Sequence, residues 1–370
     1  MELCDNGDIE QFIRNHPDKM LSPQECRNLL FQMAFALHVA ADRFGLKHYD
    51  VKLLNFLLQS ANDPTIPLED HPHVVLRYGI GSHVFRLRMH PSTSNIAKLA
   101  DYGTSVMRTE TDGQPISIGQ FTTIENSPPD YLILGNAAKQ GYGHDCFGLG
   151  LCMLHLFTGH CPYEEILNEV VCPTNLRGKL RAIWKQKTHD VIYSVMLDSD
   201  EDGEEIESRT LFDTLYRFLV LFGVPKKQFD IKTNGKVWRA INSTLLPPKR
   251  QKSKKCPDVD IFTRDRKQFS LSEGIDSKIA NARQRLNVSF NRAVSLCRHS
   301  LENSNFLFSF QELDGAMELL LALVSFDPKT RATPLDVLNS RFMADLIETG
   351  TSYYCNKNDI VKSYTAYSTN

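Results

Sequence analysis

The sequence contains no apolar run approaching the ~18 residues that would cross a bilayer. Its start, Met1-Glu2-Leu3-Cys4-Asp5, lacks the basic opening of a secretion signal. It has no charge of one sign in excess: 42 Lys and Arg face 44 Asp and Glu, for a net charge of −2. That balance gives no electrostatic ground for a nucleic-acid or membrane partner. There is no CxxC pair and no internal repeat, and the nine cysteines are odd in number and scattered. This spacing excludes a disulfide framework and points to reduced thiols inside the cell, in the cytoplasm or the nucleus. What is present is 370 residues with 42% apolar composition, enough for one large or two modest domains with a real core. Cys152, His155, His160 and Cys161 invite a zinc reading, but the first two lie in the apolar run Leu149–Phe157. That run reads as a buried helix stopped by Gly159 with Pro162 just beyond.

Residues 23–44 place Leu29, Leu30, Met33, Ala34 and Leu37 on one helical face, with Ser22 as N-cap, Pro23 at the first helical position and Gly45 as the stop. Asn55–Leu58 reads as a short strand edge. The segment 59–73, with Pro64, Pro67 and Pro72, reads as a loop. His73–Tyr78 and His83–Leu87 read as two strands around the turn Gly79–Ser82. Gly79-x-Gly81 precedes no helix, so it makes a poor nucleotide loop. Residues 104–127 are polar and predict a mobile surface segment. Helices are expected from there to about 195, again over Leu211–Phe222, and over Met317–Phe326. Asp198–Glu207 is dominated by carboxylates and predicts a solvated stretch. Pro247–Lys255 is basic and reads as a solvated loop ahead of a nuclear-localisation patch.

Two strings carry chemistry. Residues 48–55 read His-Tyr-Asp-Val-Lys-Leu-Leu-Asn, and Asp101-Tyr102-Gly103 follows. Phosphoryl transfer needs a positioned hydroxyl, metal ions on the phosphates and positive charge near the transferred group. Asp50 can accept or orient the hydroxyl proton, and Lys52 can face the transferring phosphate. Asn55 and Asp101 offer the oxygen ligands that suit Mg²⁺, and Gly103 lets the backbone turn just after the metal ligand. Any one of these residues alone would be a solvated surface group; the spaced set is specific.

The two strings match His-Arg-Asp-Leu-x-x-x-Asn and Asp-Phe-Gly except at Tyr49, Val51 and Tyr102, so the chain resembles the eukaryotic protein kinase family. The resemblance implies a mainly α fold: a kinase-like C-terminal lobe over 1–345, with a small β-hairpin region near the catalytic loop and long insertions at 59–97 and 170–300. Residues 1–12 would be the lobe linker and 346–370 a C-terminal tail. It implies ATP and Mg²⁺ as cofactors and a protein as substrate. By analogy Glu2 and Cys4 offer backbone groups to adenine, Asp8 faces the ribose and Leu57 packs under the ring. Asp50, Lys52 and Thr123 would be catalytic, and Asn55 and Asp101 would hold metal. Ser127-Pro128-Pro129-Asp130 resembles Ala-Pro-Glu, its acid pairing with Arg331 of Asp-Pro-x-x-Arg. Asp145-Cys146-Phe147-Gly148-Leu149-Gly150 resembles Asp-x-Trp-x-x-Gly, whose Asp braces the catalytic loop. His48, Tyr102 and Gly103 complete the structural set. Lys52 favours the serine/threonine class.

The departures matter. Tyr49 stands where an Arg normally meets an activation-loop phosphate, and it cannot make that bidentate ionic contact. Tyr102 for Phe adds a hydroxyl, Asp130 for Glu shortens the reach to Arg331, and Phe147 for Trp loses an N–H. No strand lysine, partner Glu or Gly-rich loop precedes the linker, so the small nucleotide-covering lobe is expected to be missing from an incomplete chain. A kinase lobe without that cover would expose Leu3, Ile9 and Leu57 to a protein partner. The alternative reading is a pseudokinase or scaffold module without catalysis; a small-molecule phosphotransferase is the third.

Overall fold

The computed structural model describes residues 4–17, 20–61, 73–107, 113, 114, 116, 123–134, 138–167, 171–185, 211–219, 222, 313–325, 328–348 and 360–366. Glu2, Leu3, the acidic stretch 198–207 and the basic stretch 247–255 lie outside them.

Helices α1 (Ile9–Asn15) and α2 (Pro23–Phe44) lead into a one-turn 3-10 helix at Leu53–Asn55 and strand β1 (Phe56–Ser60). Strands β2 (Val74–Ile80), β3 (His83–Met89) and β4 (Asn95–Leu99) follow. Then come α3 (Pro129–Leu134), α4 (Gly143–Thr158), α5 (Thr174–Lys185), a helical stretch over 211–219, helices Ala316–Leu323 and Pro334–Leu338, and strand β5 (Ile360–Ala366). Helices dominate the described residues. Helix α2 forms where its local signals say it should. Ser22 and Glu25 make a reciprocal capping box, Pro23 opens the first turn, and Gly45 closes the helix at φ 58°. Its buried face packs against α4, Pro334–Leu338 and β4. Helix α4 is buried along nearly its whole length and ends at Gly159 with φ 72°. Cys152 and His155 are inside it.

β1 and β4 form an antiparallel pair, Phe56 opposite Leu99 and Ser60 opposite Asn95. β2 and β3 form a hairpin turning at Gly81-Ser82, with Gly81 at φ 56°. The strands run two residues beyond the sequence expectation, so Gly79 lies within β2 rather than in the turn. Tyr78 and Phe85 of the hairpin pack on Phe31 of α2 at ring-centroid distances of 5.3 and 5.0 Å, so the hairpin is rooted in the main core.

Two expectations change. Ile9 is fully buried, not exposed, because α1 lays it into the core beside Ile13. The stretch around 104–127 is tied down where it is described: Ile116 is buried and donates its N–H to Ala138 O at 3.2 Å, and Gln140 donates to Gln114 O at 2.8 Å. The C-terminal tail contributes β5, which adds to β2 in parallel, Val74 aligned with Ile360 and Ile80 with Ala366. The helix expected over Met317–Phe326 runs Ala316–Leu323.

Candidate active site

After Gly45 the chain leaves α2 and pairs with the stretch that follows Asp101. Lys47 and Val106 exchange both backbone hydrogen bonds at 2.9 Å, and Thr104 Oγ1 donates to His48 O at 2.8 Å. His48 is fully buried, and its Nε2 donates to Ala100 O at 2.8 Å. Its Nδ1 accepts the Asp50 N–H at 3.3 Å, which places the ring proton on Nε2 because a carbonyl only accepts. One imidazole thus joins the loop holding Asp50 to the residue just before Asp101.

Asp50 is buried, and its carboxylate is surrounded by donors. Oδ1 accepts from Thr123 Oγ1 at 3.1 Å, and Oδ2 accepts from Lys52 Nζ at 2.8 Å and from Asn55 Nδ2 at 3.0 Å. Lys52 Nζ is also 3.5 Å from Thr123 Oγ1. Asn55 Nδ2 makes a second bond, to Asp50 O at 2.7 Å. Both amide protons face oxygens of Asp50, so the flipped amide would set oxygen against two acceptors; Oδ1 is therefore the atom turned away. Ala100 N–H donates to Asn55 O at 2.9 Å, which registers the end of β4 on the loop. Asp101 follows at φ 59°, exposed, with its Oδ1 close to Gly103. Among the described residues no three His, Cys, Asp or Glu side chains converge so as to hold a metal ion by themselves. The oxygens of Asn55 and Asp101 are of the kind that suits Mg²⁺, which keeps waters and takes phosphate oxygens for its remaining positions.

Tyr102 is half exposed, and its hydroxyl donates to Leu99 O at 2.8 Å. Its ring sits 5.7 Å from that of His48. Of the nucleotide-side candidates, Glu2 lies outside the described residues and Cys4 is half buried. Asp8 bridges to Leu57, and its carboxylate caps α1 by accepting Gln11 N–H at 2.8 Å. Leu58 N–H donates to Gly7 O at 2.7 Å, so residues 6–8 run beside β1. A cavity of about 350 Å³ opens beside Lys52 and Thr123, floored by Leu54, Leu151 and Cys152.

The loop rests on α4. Asp145 accepts the His48 and Tyr49 N–H groups, each at 2.7 Å. Burial pushes its carboxyl up, opposed by those two amides and by the nearby Lys47 charge. Lys47 is itself fully buried, with Nζ 5.0 Å from the centre of the Tyr142 ring. One turn on, a Cβ on Gly148 would sit 2.7 Å from Val51 O, so only glycine lets α4 approach the backbone between Asp50 and Lys52.

Tyr49 is buried at φ 63°, a costly conformation for a bulky residue. Its hydroxyl accepts Gly141 N–H at 3.3 Å, and its ring meets His144 edge-on at 5.6 Å. His144 also packs on Tyr131 at 5.0 Å, and its Nδ1 has no hydrogen-bond partner among the described residues. Burial first, then the nearby Arg331 charge, pushes its pKa down to about 3, against the pull of Asp50. Asp130 and Arg331 form a buried ion pair despite the shorter acid. Arg331 also donates to Ser325 O at 2.7 Å and Gly143 O at 3.1 Å, and it lies 5.4 Å from the centre of the Phe147 ring. Phenylalanine thus supplies a π-face where the lost indole N–H would have been.

The structure therefore brings Asp50, Lys52, Asn55 and Thr123 into one network, with His48 and Asp145 behind it. Sequence reading missed Lys47, His144 and Gln32. Gln32 Oε1 accepts from Ala97 N–H at 2.9 Å and Tyr78 OH at 3.1 Å, and its Nε2 donates to Asn95 O at 3.1 Å. Its signal was a polar residue on the apolar face of α2.

A helical body, a catalytic-loop carboxylate held by Lys and Thr, and a second acid at a strand end define a protein kinase domain. A family model described as Protein kinase domain matches residues 1–343, and the chain belongs to the protein kinase family. No curated protein matches it. Protein kinases use ATP and Mg²⁺ and act on proteins. Among the described residues no helix is long and apolar enough to cross a membrane.

Proposed function

We propose that the protein is a serine/threonine protein kinase acting inside the cell, in the cytoplasm or nucleus. In this reading 1–345 is its large lobe, 1–12 the lobe linker, 59–97 and 170–300 insertions, and 346–370 the tail. One observation carries it: the Asp50 carboxylate is held at once by Thr123, Lys52 and Asn55. Folding alone has no need to bury a carboxylate among these three donors, two of which, Lys52 and Thr123, line a cavity. Bound Mg-ATP supplies the transferable phosphoryl group and the cations that neutralise it. Asp50 orients the incoming hydroxyl and takes its proton. Lys52 sets its charge where the transferred group passes, and Thr123 fixes the second carboxylate oxygen so that Asp50 cannot rotate away. Asn55 Oδ1 and Asp101 are the groups that would hold Mg²⁺. Glu2, Cys4, Asp8 and Leu57 would line the nucleotide side. His48, Tyr102, Gly103, Asp145 and the Asp130–Arg331 pair keep the two halves in register.

Labelled ATP incubated with the full-length protein and a degenerate peptide library tests this. Label on phosphoserine and phosphothreonine is expected; label on phosphotyrosine alone would overturn the class. The second reading, a scaffold without catalysis, draws on Tyr49, which replaces the charged contact to an activation-loop phosphate with a buried aromatic one. It requires no label at all, with or without partners.

A further inference from the structure

Leu53 and Leu54 are neighbours in the catalytic loop and meet opposite fates. Leu53 is 2% exposed and belongs to the core, whereas Leu54 is 47% exposed. A single exposed leucine needs no account of its own. Leu54, however, lines the cavity of about 350 Å³ that Lys52 and Thr123 also line. The rest of that wall is largely apolar. Helix α4 contributes Leu151 and His155, one turn apart, with Cys152 between them, and Pro162 and Tyr163 add to it.

The charged side chains around the cavity do not make it a site for an ion. Glu10 pairs with Arg14, and Lys52 with Asp50 at 2.8 Å. Glu164 stands exposed to water. The volume lies at the small end of the ~300–1,000 Å³ typical of ligand pockets, enough for one large side chain. Its position follows from two shared residues. Lys52 Nζ and Thr123 Oγ1 each touch the Asp50 carboxylate, at 2.8 and 3.1 Å, and each residue lines the cavity. An occupant of the cavity therefore borders the place where Asp50 would meet an acceptor hydroxyl.

We infer that this pocket seats an aliphatic or aromatic side chain of the protein substrate, within about three residues of the acceptor, and that Leu54 sets the preference. The inference rests on the kinase reading and narrows the substrate class of that same site to hydroxyls flanked by an apolar residue. An extended chain advances ~3.3 Å per residue, so three residues span about 10 Å. An apolar occupant takes Leu54 out of water together with itself. A lysine or arginine would give up hydration against Leu54, Leu151 and Pro162. The exposed Glu164 would return little, because ion pairs in water are weak.

The test uses the full-length protein, labelled ATP and peptides with a central serine or threonine. Each flanking position in turn is fixed as Leu, Phe, Gln, Glu or Arg. At one position within three of the acceptor, Leu or Phe should exceed Gln by roughly tenfold in kcat/KM. Leu54→Ala should shrink that ratio severalfold, and Leu54→Glu should abolish it and raise the Arg peptide above the Leu peptide. The readout is a ratio between peptides on one protein, so a loss of folded enzyme does not imitate it. Labelling without an apolar preference, a wild-type preference for Arg, or a preference that survives Leu54→Glu would each overturn the pocket assignment and leave the kinase reading standing. No label on any peptide would sink the kinase reading and this inference with it.

Discussion

The catalytic loop and the hairpin behind α2 are built on opposite plans. The loop holds Tyr49 and Asp101 in left-handed backbone conformations and buries His48, Asp50 and Asp145. Every one of those polar groups is answered by another from a distant stretch of chain. The hairpin is regular: alternate residues enter the core, a glycine makes the turn, and the charges stay outside. Strain and buried polarity mark a region shaped by chemistry, whereas regular alternation marks one shaped by folding. Gln32 joins the two regions, since it binds the hairpin through Tyr78 and the strand leading to Asp101 through Asn95 and Ala97.

This contrast can be broken at either end. The largest effect should come from Asp130→Ala. It leaves the buried Arg331 charge without the Asp130 carboxylate and should cost about 3–5 kcal/mol in urea unfolding. Next is acid. His144 is held neutral in the folded protein down to about pH 3, whereas the unfolded chain takes up a proton below its ordinary pKa of 6.5. Its contribution is therefore constant above 6.5 and lost as pH falls from 6.5 towards 3, by up to about 1.4 kcal/mol per pH unit. His144→Phe should flatten the unfolding midpoint between pH 6.5 and 4.5; an unchanged slope would place the acid sensitivity elsewhere. Gln32→Leu strips partners from Tyr78 OH and Ala97 N–H and should destabilise by about 2–3 kcal/mol. It should also speed amide exchange in β4 more than in α4. Tyr49→Phe removes the Gly141 hydrogen bond and should cost about 1 kcal/mol. Arg88→Gln should leave stability within about 0.5 kcal/mol, because the side chain is exposed.

The catalytic loop was legible because its chemistry fixes residue types at fixed spacing. Asp50, Lys52 and Asn55 lie within one short string, and Thr123, Asp145 and Arg331 sit in strings that recur in order. Helix α2 was legible for a local reason, since Ser22, Pro23 and Gly45 mark its ends by capping physics. The addition of β5 to β2 was not legible, because pairing between residues 286 apart leaves no periodicity in either segment. Ile9 was misjudged because exposure depends on how α1 sits against the core. The work of Tyr49 was half visible: the sequence shows the missing arginine charge, and only the fold shows Gly141 and His144 taking the ring.

The most direct measurement compares phosphotransfer by the full-length wild-type protein with that of Asp50→Asn, at matched unfolding midpoints. Loss of a positioned base should lower kcat by roughly 10²–10⁴-fold while KM for ATP changes little. Equal rates for the two proteins would contradict the assignment of the Asp50–Lys52–Asn55–Thr123 network as the catalytic centre.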